Sequence, residues 1–248
     1  MQTTSPSADP ETLDLSGRQL VAIPAEVWGK SSVKTLILYR NELSVIPPEI
    51  ARLGELEILI IANNRLTSLP EEIGSLTRLK MLDAGHNQIV ELPESFGQLM
   101  GMSDYLYLHD NRIRELKGSL FEGWARLRYL NLSDNPLVRL PASLGGLTAL
   151  EELRLENVGL EELPEWIGEL ARLDELTVRN NRLTTLLDTA ENLRNLTRVD
   201  LRGNRFRDIP DVLRRLPILR KVDLRWNEVE VAEGIADEFR ARGCRLLV

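Results

Sequence analysis

The side chains best equipped for chemistry in this 248-residue chain are its two histidines, His86 and His109, with Asp83 and Asp110 close by in sequence. Imidazole and carboxylate are the donors of a zinc or copper site and the partners of acid–base catalysis. The spacing does not favour either. The two histidines fall at the eighth and seventh positions of successive sequence units, which point in different directions, so no metal site is expected. The chain has no GxxxxGK[ST], HExxH, CxxC or GxSxG arrangement, and so lacks the usual signatures of a phosphate cradle, a zinc peptidase, a redox pair and a nucleophile elbow. Cys244 stands alone, next to Arg245-Leu246-Leu247 in an apparent closing strand, and reads as a buried structural thiol. No cofactor and no enzymatic activity are expected.

The units that carry these residues repeat as L-x-x-L-x-L-x-x-N-x-L. The ninth position falls at Arg18, Asn41, Asn64, Asn87, Asn111, Asn135, Val158, Asn181, Asn204 and Asn227, spaced by 23 residues except for 24 on either side of Asn111. Ten units with so regular a period define a solenoid in which each unit contacts its neighbours. The L-x-L core alternates with period two, so it is a short strand whose leucines face inward, and stacked units make a parallel sheet. A proline follows the next leucine or isoleucine at Pro24, Pro47, Pro70, Pro93, Pro141, Pro164 and Pro210 and fixes the chain direction where it turns to the back. No helix of ordinary length fits there, which predicts extended or 3₁₀ turns.

The run from Leu56 to Leu76, LEILIIANNRLTSLPEEIGSL, resembles the intracellular 23-residue type of the leucine-rich-repeat superfamily, LxxLxLxxNxLxxLPxxIxxLxx. Similar arrays occur in Ras-linked scaffolds and in bacterial leucine-rich-repeat effectors. The segment from Leu116 to Trp124 is closer to the 24-residue variety of receptor ectodomains. The resemblance implies an α/β-type horseshoe with a concave parallel β-sheet, ninth-position asparagines bonded to the backbone of adjacent turns, and a protein-binding role. Val158 breaks the asparagine column, so Asn157 shifts into the role, water fills it, or the stack bends there. Lys117 and Leu187 replace the column proline and are expected to loosen their turns. Residues 1–10 read as a disordered tail, 11–229 as ten repeats, and 230–248 as a C-terminal cap of one helix and one strand.

The third, fifth and seventh positions of each unit point outward from the sheet. All four tyrosines, Tyr39, Tyr105, Tyr107 and Tyr129, lie on them, together with Ile37, Ile58, Ile60, Met81 and His109. These residues predict a contiguous apolar and aromatic surface on repeats two to six, about 20 Å across, of the kind that marks a protein partner. A second partner surface is expected where Arg179, Arg202 and Arg225 line one column, Arg182 and Arg205 another, with Trp226 beside them. Asp200, Asp223, Glu152, Glu156 and Glu175 are near enough to neutralise that cluster as a solvated ladder.

A net charge of −7 disfavours attraction of the whole molecule to nucleic acid or to an anionic membrane. One cysteine allows no internal disulfide, and the polar start has neither the basic nor the apolar part of a secretory signal; a cytoplasmic protein is expected, with non-Sec export into a host cell as the alternative. Only five of 31 basic residues are lysine, a bias common in GC-rich bacteria. The function read from the sequence is a protein-binding scaffold or recognition module, the alternative being a secreted bacterial effector or the recognition fragment of a larger multidomain protein. The first strand has no evident cap, and a homodimer through that edge is one way of covering it.

Overall fold

The computed structural model describes residues 11–248; the expected N-terminal tail lies outside the described residues. Eleven three-residue strands form: β1 (Thr12–Asp14), β2 (Thr35–Ile37), β3 (Ile58–Ile60), β4 (Met81–Asp83), β5 (Tyr105–Tyr107), β6 (Tyr129–Asn131), β7 (Glu152–Arg154), β8 (Glu175–Thr177), β9 (Arg198–Asp200), β10 (Lys221–Asp223) and β11 (Arg245–Leu247). They pair in sequence order into one open, wholly parallel sheet. Each strand's central residue is its inward one, and the register places like on like: Leu59 on Leu82, Leu82 on Leu106, Leu106 on Leu130. All four are fully buried, each contributing about 2 kcal/mol by removal of its side chain from water.

The chain returns across the back through eight 3₁₀ turns, from Ala25–Gly29 to Asp188–Asn192. Six of these follow a column proline, whose ring holds φ between −58° and −76°. Leu187 does not loosen its turn as expected: it adopts φ −70° and ψ 153° without the ring, and its 3₁₀ turn keeps five residues. At Lys117 the turn does contract, to the four residues Gly118–Phe121. Behind Pro210 the return path closes instead as one α-helical turn, α1 (Val212–Arg215).

The asparagine ladder fixes the corners. Asn64 shows the pattern: Nδ2 donates to Leu38 O of the preceding unit and to Ile61 O of its own, both at 3.0 Å, and Oδ1 accepts the Leu43 amide at 3.1 Å. Val158 interrupts this ladder, 3% exposed, but the two carbonyls and the amide that the Asn64 pattern would engage there keep other partners. Leu132 O still receives Asn135 Nδ2, Leu155 O receives Asn181 Nδ2, and the Leu137 amide bonds Asn135 O within its own turn. Asn157 does not take over the role. It occupies a left-handed backbone position (φ 52°) and its Nδ2 donates to Asp134 Oδ1 at 3.0 Å.

That left-handed position recurs at the eighth residue of every unit: Gly17, Arg40, Asn63, His86, Asp110, Asp134, Asn157, Asn180, Gly203 and Trp226 all have φ between 51° and 65°. Short polar side chains and glycine tolerate this conformation, whereas a bulky one is strained. At the C-terminal end α2 (Ile235–Ala241) packs Phe239 into the core, and β11 pairs with β10. Cys244 is buried there, and burial pushes its thiol above the usual range.

Candidate functional site

The tyrosines meet on the exposed face of the sheet. Parallel register sets Met81, Tyr105 and Tyr129 side by side in one column and Asp83, Tyr107 and Asn131 in the next. Tyr105 and Tyr107 stack with ring centroids 6.0 Å apart and planes 11° from parallel, and Tyr107 leans on Tyr129 at 4.7 Å. The Arg154 guanidinium lies 5.8 Å from the centre of the Tyr129 ring while its Nε donates to Glu152 at 2.6 Å. The cluster is thereby stacked and held by its own contacts.

Its members are unequally accessible. Tyr105 is 41% exposed, but Tyr129 only 9%, so Tyr129 supports the surface rather than forming it. Burial pushes the Tyr129 hydroxyl well above the usual phenol range. Ile37, Tyr39, Ile58, Ile60 and Met81 are half-buried on the same face; Tyr39 lies beyond the cluster, with Arg40 5.4 Å from its ring centre. One outward column runs unbroken through Ile58, Met81, Tyr105 and Tyr129, but the next is interrupted. Asp83 stands between Ile60 and Tyr107 in register, its carboxyl pushed above the usual range by burial, only partly offset by the Gly85 amide and the two histidines. In the sequence Asp83 stood out only as a neighbour of the two histidines, although an acid in a column of Ile and Tyr was itself a signal of an interrupted apolar surface.

The histidines are also closer than their positions suggested. His86 Nε2 lies 3.2 Å from His109 Nε2, the rings meet edge to face at 4.6 Å, and His86 Nδ1 is 2.6 Å from Asp110 Oδ2. The left-handed backbone at His86 turns its side chain toward the next unit, and Gly85 clears the space, since a Cβ there would overlap the His109 ring. Burial and then the neighbouring His86 lower the His109 pKa, which favours neutral imidazole. Among the described residues, no group of three or more His, Cys, Asp or Glu side chains is placed to hold a metal ion.

In the C-terminal repeats the arginines are largely neutralised. Arg202 grips Asp200 through Nε at 2.8 Å and Nη2 at 2.6 Å, Arg225 grips Asp223 at 2.9 and 2.7 Å, and Arg179 and Arg182 pair with Glu156 and Glu161. Arg205 has no carboxylate partner among the described residues. It lines an open cleft of about 700 Å³ with Arg207, Asp208, Glu228 and Trp226. Trp226 is 69% exposed with φ 64°, and the Arg202 and Arg225 guanidinium carbons lie 5.4 and 5.8 Å from its ring centre.

Two family models match the chain, one described as a leucine-rich repeat region over residues 106–241 and one as a leucine rich repeat over 31–89. Among solved structures, a leucine-rich-repeat protein of Leptospira interrogans is 29% identical with a TM-score of 0.88, over 95% of this chain and 60% of that one. The ectodomain of the Arabidopsis thaliana receptor kinase GASSHO1/SCHENGEN3, in complex with CASPARIAN STRIP INTEGRITY FACTOR 2, is 30% identical with a TM-score of 0.71, over 89% of this chain and 27% of that one. An internalin of Listeria monocytogenes shares the fold at 16% identity and a TM-score of 0.66, over 96% of this chain and 79% of that one. The chain thus spans less than two thirds of the Leptospira and Arabidopsis chains. No curated protein matches it at a significant level. No helix of the described residues is long and apolar enough to cross a membrane.

Proposed function

Because the chain belongs to the leucine-rich-repeat family, a fold that commonly mediates protein binding, we propose that it is a recognition module that docks a protein partner on the concave face of its sheet. The observation that carries this reading is the stacked pair Tyr105 and Tyr107, a preformed aromatic platform with Tyr105 open to solvent beside the half-buried Ile58, Ile60 and Met81. Solvent-exposed aromatics with Met and Ile around them are the usual centre of a protein interface, because they bury large area at little cost in side-chain entropy. Strand propensity alone would account for Tyr and Ile here but not for all four tyrosines occupying outward columns. The plant ectodomain in complex with CASPARIAN STRIP INTEGRITY FACTOR 2 supports the same reading as a relative of modest identity.

The ladder of paired charges on repeats seven to ten limits the second surface to Trp226 and its cleft. A tryptophan mostly exposed and held in left-handed backbone is costly for the fold on its own, and such positions cluster at functional sites. We assign it a supporting contact at the far end of the same partner.

A photo-crosslinking residue placed in turn at Tyr39, Ile58 and Tyr105, and at Ser95 on the back, tests the docking face. Capture of one partner from the front positions and not from position 95, with affinity lowered at least tenfold in the Tyr105→Ala/Tyr107→Ala variant, is the expected outcome. Equal capture from position 95, or unchanged affinity in the double variant, would refute it.

A further inference from the structure

We propose that His86 and His109 form a two-imidazole site for a divalent transition-metal ion of the zinc, nickel or copper class, its remaining coordination positions open to water or to a ligand. Two nitrogens bound to one tetrahedral zinc at about 2.0–2.1 Å stand about 3.3 Å apart. The two Nε2 atoms are 3.2 Å apart. Imidazole suits zinc, nickel and copper, and the usual order of affinities puts copper first among them.

The surroundings are arranged as for a metal ligand pair. Asp110 accepts the Nδ1 proton of His86, which fixes the tautomer and leaves the Nε2 lone pair of His86 facing His109; a carboxylate behind a ligating histidine is the common supporting contact in such sites. It follows that in the free protein His109 donates its Nε2 proton to His86. Its Nδ1 is then a bare lone pair, and that atom is buried with no hydrogen-bond partner. A ring placed there for structure alone would be expected to satisfy that nitrogen. On metal binding both Nε2 lone pairs are taken, and His109 changes tautomer: its proton leaves Nε2 and Nδ1 takes one up, by exchange with solvent, so that the ring stays neutral.

Two further features fit. Glycine at position 85, in an outward column where a side chain would otherwise stand, is what lets the His109 ring reach its neighbour. The Asp110 carboxylate at 2.6 Å holds the other ring, His86, from its Nδ1 side. With only two protein donors, the site is exchangeable rather than structural, and its open positions face solvent 6.1 Å, ring to ring, from the edge of the tyrosine platform at Tyr107. The inference does not depend on the docking reading, since the free chain should bind the ion.

The test is calorimetric titration of Zn²⁺ and Ni²⁺ into the full chain, freed of purification tag and stripped with chelator, alongside H86A, H109A and G85A. One saturable equivalent per chain is expected, weakened at least tenfold in each variant; G85A matters most, because it keeps both imidazoles and displaces one. Asp110→Asn should weaken binding by roughly tenfold. Melting curves establish that the variants are folded. Should one not fold, ¹⁵N-histidine spectra of the wild-type chain still decide, because Zn²⁺ must shift both Nε2 resonances. No saturable binding by the wild type, equal binding by H86A, H109A or G85A, or unmoved Nε2 resonances would overturn the proposal.

Discussion

The amide of Leu137 donates to the carbonyl of Asn135 at 2.8 Å, inside its own turn. The corresponding amides of Leu20, Leu43, Leu66, Ile89, Ile113, Leu160, Leu183 and Phe206 all donate instead to the asparagine side chain one unit further on. The difference coincides with Pro136. At the tenth position of other units the amide reaches back to the previous unit, as Arg112 does to Ile89 O at 2.9 Å; proline has no such amide to offer. The corner therefore tightens, the Leu137 amide is satisfied locally, and the residue at position 158 is released from the ladder. Pro136 and Val158 are a compensating pair.

Val158→Asn should accordingly not stabilise the chain. Its Oδ1 would be buried with the Leu137 amide already engaged, at a cost of about 1 kcal/mol after the gain of new Nδ2 bonds. Pro136→Arg combined with Val158→Asn restores both the amide and its acceptor, and urea unfolding should show the double variant more stable than the sum of the two single changes by about 1 kcal/mol. Additive effects would show that the two positions are independent.

The ladder is also uneven in what each asparagine carries. Without Asn87, Ile61 O keeps a bond from Asn64 and Ala84 O keeps one from Asn111. Asn181 has no such neighbour on its N-terminal side. It is the only side-chain donor to Leu155 O among the described residues, and it accepts the amides of both Val158 and Leu160. Asn181→Ala is expected to cost about 3 kcal/mol and Asn87→Ala about 1 kcal/mol in unfolding free energy. Equal losses would mean that the bonds are shared differently along the stack.

The repeat period made the sheet, the inward leucines and the 3₁₀ back legible from the sequence, because strand alternation and the proline step are local signals. Legibility ended where a side chain's direction depends on backbone handedness. The eighth column is left-handed in every unit, and no pattern of hydrophobicity reports that; with it went the approach of His86 to His109 and the strain at Trp226. Leu187 shows the converse, a turn set by its neighbours in the stack rather than by its own proline. At the tyrosines the column assignment was sufficient to place the rings together but could not tell the covered Tyr129 from the open Tyr105, since that depends on Arg154 reaching across from the next strand.

That distinction separates stability from recognition. Tyr129→Ala removes a 9% exposed ring packed on Tyr107 and beneath Arg154, and should cost about 2–3 kcal/mol in urea unfolding. Tyr105→Ala removes a ring 41% exposed and should cost under about 1 kcal/mol. A larger loss at Tyr105 than at Tyr129 would reverse their roles in the platform.

The last prediction concerns acid. Asp223 is 1% exposed yet charged: burial pushes its carboxyl up, but the side chain and amide of Arg225, and the nearby charge of Arg202, outweigh this and hold it below its ordinary value of 3.8. A depressed folded pKa means that the unfolded chain takes up the proton first, so the contribution is fully present above about pH 4 and is lost as pH falls through the folded value. Because Arg225 is 44% exposed and Arg202 20% exposed, solvent screens the pair, and Asp223→Asn should cost only about 1–2 kcal/mol at neutral pH. The gap in unfolding free energy between the wild type and this variant should stay constant from pH 7 to pH 5 and narrow once the pH drops below about 4. Urea unfolding at pH 7, 5 and 3 measures it directly. A gap that instead closes between pH 7 and 5 would place the titrating group elsewhere and detach Asp223 from the stability of the arginine ladder.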